Sequence, residues 1–127
     1  MLKTIVMCIP NTLLSGGLSK YLQEETGNRI YTEDDTEKLA DTCAVVEADV
    51  LLAEARNYAP YRVDDWLKIW QNVKMRQPVC KFALVVDETT FPDTARRVRQ
   101  ARSDGMIDAF FFESVSGEYV TAVIDSL

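Results

Sequence analysis

Five short apolar runs, each handed on to a stretch with helical spacing, constrain this chain more than anything else in it. They are Thr4–Ile9, Arg29–Thr32, Val50–Ala53, Phe82–Val86 and Ile107–Phe112. Strand and helix signals in alternation predict a parallel sheet with helices packed on both faces. The third and fourth runs are almost unbroken in their apolarity, as central strands covered on both sides must be. The second ends in polar residues, Thr32-Glu33-Asp34, as suits a sheet edge. The expected architecture is a flavodoxin-like three-layer α/β sandwich, a five-stranded parallel sheet in the order 2-1-3-4-5. Such folds keep their chemistry at the carboxyl ends of the strands, so the residues expected there decide what the chain can do.

The intervening segments carry their own start and stop signals. The first helix is expected from Asn11 or Thr12 to Thr26-Gly27, with Leu14, Leu18 and Tyr21 or Leu22 on one face and Gly27 as its stop. The second starts at Asp34 or Asp35, with Leu39, Cys43 and Val46 as its stripe. The third spans about Val63 to Lys74. Its two tryptophans, Trp66 and Trp70, read as core aromatics that cover the sheet. The fourth follows Phe91-Pro92-Asp93, turns Ala95, Val98 and Ala101 inward, leaves Arg96, Arg97, Arg99 and Arg102 outside, and ends at Gly105. A short fifth helix covers Ser116 to Leu127.

At 127 residues the chain reads as one domain, 1–127, able to bury roughly 65–70% of its unfolded surface without a disulfide or metal staple. A formal net charge of −6 argues against direct nucleic-acid binding and favours a protein or small-molecule partner. No apolar run approaches the ~20 residues of a membrane span. Met1-Leu2-Lys3 leads straight into the first strand without a secretory signal, so a cytoplasmic protein with no membrane contact is expected. Cys8, Cys43 and Cys80 read as buried small hydrophobes in a reducing compartment. Histidine is absent, which excludes Ser-His-Asp and Cys-His catalysis and histidine phosphotransfer from within this chain.

Three stretches, Lys3–Met7, Ala48–Glu54 and Ala101–Phe110, give the chain a more specific likeness through their order and spacing. Over its whole length it resembles the receiver domain of two-component response regulators. The middle stretch is similar to that family's strand ending in the phosphate-accepting aspartate, and the last to its exit from helix four. The resemblance implies a Mg²⁺-assisted aspartyl phosphorylation site, and a face of helix four, strand five and helix five used for dimerisation and output.

The departures from that pattern are the more informative part. The family's acidic pair falls on Cys8 and Ile9, which offer no oxygen to a hard cation. The phosphoacceptor position holds Glu54 and the switch Ser/Thr position Asp87, with Thr89 and Thr90 close by. The lysine position holds Phe112, followed by Glu113. The rim therefore gathers Glu54, Asp87, Glu88 and Glu113, with no cation at a matching position. Phosphoryl transfer needs its charge neutralised. The expectation is a non-catalytic pseudo-receiver, with no cofactor and no metal site, that acts through a protein partner or a fused output domain. A homodimer would use the helix 4–strand 5–helix 5 face, carried by Arg96, Arg99, Phe111, Tyr119 and Val123.

Two further readings concern single residues. Glu54 is expected to be a solvent-facing carboxylate at a strand end. Its alternative role, imitation of a phosphorylated aspartate, requires a lysine and a hydroxyl to respond. Cys8, followed by a loop and a helix start, resembles the phosphocysteine site of sugar-phosphotransferase IIB domains, which makes a phosphotransferase the alternative function. Against it, Ile9–Leu14 lacks the small residues of a phosphate cradle, and Pro10 has no amide to donate. Nor does this loop carry the glycine fingerprint of a dinucleotide site.

Overall fold

The computed structural model describes residues 2–127; Met1, part of the expected lead into the first strand, lies outside them. The elements follow in the order β1 (Thr4–Cys8), α1 (Thr12–Glu24), β2 (Arg29–Thr32), a 3-10 turn (Thr36–Lys38) running into α2 (Leu39–Val45), β3 (Val50–Ala55), α3 (Val63–Arg76), β4 (Lys81–Val86), α4 (Pro92–Ser103), β5 (Ala109–Phe112) and α5 (Gly117–Ser126). All strand pairs are parallel and the sheet order is β2-β1-β3-β4-β5, the expected flavodoxin-like arrangement.

Period-two alternation splits the core into two layers. Val6, Leu51, Ala53, Phe82, Leu84 and Val86 face α2, α3 and α4. Ile5, Met7, Leu52, Val85 and Phe111 face α1 and α5. Both tryptophans lie in the first layer, as expected, and Trp70 stacks on Phe82 with ring centroids 4.9 Å apart.

The helix ends follow their caps. Asn11 caps α1, its Oδ1 accepting from the Leu14 amide at 3.2 Å. Asp35 caps the 3-10 turn through the Glu37 amide, so α2 is shorter than expected and Val46 falls just beyond it. Ser116 caps α5 through the Tyr119 amide.

β1 ends and β4 begins one residue earlier than expected, at Cys8 and Lys81, and two strand boundaries depart by two residues. β5 begins at Ala109, two residues later than the run from Ile107 suggested. β3 runs on to Ala55, which places Glu54 inside the strand opposite Val85 rather than at its open end.

Candidate functional site

Glu54 shares a strand face with Val50 and Leu52, and its side chain is fully buried. Two donors hold the carboxylate: the Asn11 amide reaches Oε1 at 3.0 Å and Arg56 Nε reaches Oε2 at 3.0 Å. The Trp66 indole donates to the Glu54 carbonyl at 2.9 Å. Two expectations fail here: the carboxylate does not face solvent, and the rim does hold a cation. Alternation explains both. Arg56 lies two residues on, on the same side of the chain as Glu54, and folds back over the strand end. A search for a cation at the family's own lysine position misses a neighbour at i+2.

Arg56 is itself fixed. Its Nη1 donates to the Tyr58 hydroxyl at 2.9 Å, and the guanidinium lies over the rings of Tyr58 and Phe91 at 5.8 and 5.9 Å. Burial pulls its pKa down, but the hydrogen bond and charge of Glu54, with the Tyr58 contact, outweigh it and leave the pKa raised.

The other acidic groups are used locally. Asp87 accepts from the Thr90 hydroxyl at 2.6 Å and from the Thr89 and Thr90 amides at 3.1 and 3.0 Å. The Thr90 hydroxyl, above all, holds its carboxyl below the usual range. Glu88 accepts from the Ser114 hydroxyl at 3.2 Å. Glu113 accepts from Asn11 Nδ2 at 3.2 Å, and burial, then the charges of Glu54 and Asp87, push its carboxyl up. Asn11 therefore ties Glu54 to Glu113 while capping α1. The sequence marked it only as a candidate start of the first helix, because nothing in its spacing announces the two carboxylates.

Cys8 and Ile9, at the positions of the family's acidic pair, are buried at the end of β1. Burial first, then Asp34, Glu33, Asp35 and Glu54, push the Cys8 thiol up to about 12. It borders a cleft of about 510 Å³ lined also by Thr12, Ser15, Gly16 and Tyr61. Among the described residues, no three His, Cys, Asp or Glu side chains converge as metal ligands, and no helix is long and apolar enough to cross a membrane.

Phe112, at the lysine position, is half-buried on the α4 side, edge-on to Phe110 at 5.7 Å and beneath the Arg99 guanidinium at 5.7 Å. Phe111 does not belong to the expected surface face. It is 2% exposed, packed under α5 and edge-on to Tyr119 at 6.1 Å. A single inward phenylalanine satisfies the α5 side of an edge strand, while its two neighbours serve α4. Arg96, Arg99 and Tyr119 are exposed and Val123 is half-buried, with Arg96 paired to Asp93.

No protein-family model and no curated protein matches this sequence. Solved structures do. A DNA-binding response regulator of the LuxR family from Staphylococcus aureus superposes with a TM-score of 0.75 over 98% of both chains, at 11% identity. The signal receiver domain of a modulated diguanylate cyclase from Desulfovibrio desulfuricans gives 0.75 over 99% of this chain and 93% of that one, at 12% identity. The response regulator TrrA from Thermotoga maritima, in complex with Mg²⁺ and beryllofluoride, gives 0.74 over 98% of both chains, at 15% identity. The chain has the receiver fold. At these identities the likeness is one of architecture.

Proposed function

We propose that this chain is a receiver-like regulatory domain that works by protein–protein contact, without aspartyl phosphorylation. The observation that carries the reading is the pairing of the buried Glu54 carboxylate with the half-buried Arg56. Both Glu54 oxygens already accept hydrogen bonds, one of them from a guanidinium. A phosphoryl acceptor needs a free oxygen, and positive charge not already committed elsewhere. Cys8 and Ile9 add no oxygen ligand that would bring a hard cation to the site.

In this reading the pair stands in for the phosphorylated state: an anion at the end of β3, longer than aspartate, answered by a fixed cation. Arg56 takes the part that the sequence had left vacant. Output then passes through the edge built by α4, β5 and α5, where Arg96, Arg99 and Tyr119 lie exposed. The alternative, a Cys8 phosphotransferase, is opposed by a thiol held protonated among carboxylates, where neither thiolate nor phosphate is favoured.

The test is incubation with acetyl phosphate, and separately with beryllofluoride and Mg²⁺. Intact mass and tryptophan emission are read, because Trp66 touches Glu54 directly. Unchanged mass and emission are expected. A Mg²⁺-dependent change in emission, or a phosphate adduct, overturns the reading. Rapid labelling of Cys8 by a thiol reagent at neutral pH would restore the enzyme alternative.

A further inference from the structure

Beside the acidic strand ends, three arginines from three elements meet in one cavity. It holds about 230 Å³ between the starts of α3 and α4, and its walls include Arg56, Arg62, Thr94 and Arg97. Each guanidinium has donors to spare. Arg56 uses Nε and Nη1, on Glu54 and Tyr58, and keeps Nη2. Arg62 uses Nε and Nη2, both on Asp65, and keeps Nη1. Arg97 uses Nη2 alone, on Asp64, and keeps Nε and Nη1.

The α4 wall adds neutral donors. Phe91 stands at the N-cap and offers no side-chain acceptor, and Pro92 has no N–H. Ala95 supplies the first amide of this helix to find an acceptor, the Phe91 carbonyl at 2.9 Å. The Asp93 and Thr94 amides are left over at the helix start. Thr94 is only 9% exposed, and among the described residues its hydroxyl makes no hydrogen bond. A polar side chain so buried is ordinarily paired. Two carboxylates, Asp64 and Asp93, also border the cavity. Their side chains are 75% and 88% exposed, and they face Arg97 and Arg96. Ion pairs this exposed contribute little, so Arg97 can exchange Asp64 for a better-placed anion.

We propose that this cavity is a binding site for the phosphate group, held non-covalently and without a metal. Arg62 and Arg97 grip it from the α3 and α4 sides, and Arg56 meets it from the end of β3. The Thr94 hydroxyl and the first amides of α4 complete the cradle. A tetrahedral dianion presents several oxygens at once, which suits guanidinium forks and a helix start on converging walls. Inorganic phosphate and a small phosphate monoester share this chemistry. The inference stands apart from the proposed function. It involves no covalent step, no Mg²⁺ and no Glu54 oxygen, and neither tryptophan lines the cavity.

The full chain, isotope-labelled, is titrated with phosphate in mildly alkaline buffer at constant ionic strength, with chloride as the control. Amide and arginine Nε–H resonances are followed by NMR. Saturable shifts at Asp93, Thr94, Arg62 and Arg97 are expected with phosphate and not with chloride. Arg97→Gln replaces a side chain that is 53% exposed, so the fold tolerates it. It should weaken binding roughly tenfold through loss of one charged donor group. Asp64→Asn should tighten binding, because it releases Arg97. Equal affinity for phosphate and glycerol phosphate assigns the free ion, and tighter binding of the ester assigns a small phosphorylated metabolite; both support the site. Shifts that fail to saturate, that chloride reproduces or that centre outside the cavity overturn the proposal. So does an Arg97→Gln variant that binds phosphate as tightly as the unaltered chain.

Discussion

Arg56 Nε donates to Glu54 Oε2 at 3.0 Å, from a guanidinium that is 21% exposed to a carboxylate that is not exposed at all. The asymmetry sets the energetics. Glu54 depends on its partner, because a buried carboxylate stripped of its cation keeps its desolvation penalty, whereas Arg56 retains some access to water.

Arg56→Ala should therefore destabilise the fold by about 2–3 kcal/mol, somewhat under the usual cost of breaking a fully buried pair. Glu54→Gln combined with Arg56→Met should recover most of that loss, since no charge is then left behind. Urea denaturation of the single and double variants measures the coupling. An Arg56→Ala midpoint equal to the unaltered chain's would mean that the pair does not hold the strand end.

The fold was legible because its signal is periodic. Runs of strand length alternate with helical stripes, and the stripes named Trp66, Trp70, Val98 and Ala101 as core residues, which they are. The site was less so. Ala53-Glu54-Ala55-Arg56 reads as a strand tail with its polar residues turned to water. Tertiary contacts from the Asn11 loop, together with Arg56 folding back, hold Glu54 as a buried group. Which phenylalanine of β5 turned inward likewise depended on where α5 lay.

Gly117 opens α5 directly against Tyr21 of α1. A Cβ built there would meet ring carbons of Tyr21 at 2.9 Å, one of them the Cγ that anchors the ring. Rotation of the ring about its Cβ–Cγ bond leaves that atom in place, so Gly117→Ala should cost about 1–3 kcal/mol by overpacking. Tyr21→Ala in the same background should abolish the penalty, leaving only its own effect. Thermal melts of the four chains give the cycle, and additive effects would show that the Tyr21 ring moves freely.

Trp66 joins core packing to the candidate site through one hydrogen bond, from its indole to the Glu54 carbonyl at 2.9 Å. Trp66→Phe keeps an aromatic ring but removes the donor and leaves space in a tightly packed layer. A loss of about 2–4 kcal/mol is expected from the unpaired carbonyl and the residual cavity together. Chemical denaturation measures it, and a loss below ~1 kcal/mol would mean that the carbonyl finds another donor.

Glu113 is the rim carboxylate with the least favourable surroundings. Burial, then the charges of Glu54 and Asp87, hold its pKa above the ordinary 4.5, against a weaker pull from Arg56 and the Asn11 amide. A carboxyl whose pKa is higher in the folded protein than in the unfolded chain binds its proton more tightly when folded. Its ionised form then costs stability at neutral pH, and the cost is relieved as pH falls through the folded value toward 4.5. Asp87 runs the other way: its lowered pKa adds stability that is lost on acidification. Glu113→Gln keeps an oxygen to accept from Asn11 Nδ2 and leaves Asp87 in place, so it isolates the first effect. The variant should melt higher than the unaltered chain at pH 7, and the gap should close as the pH drops below the ordinary carboxyl range. A variant that melts lower at pH 7 would show that the Asn11 bond to a charged oxygen outweighs the repulsion around it.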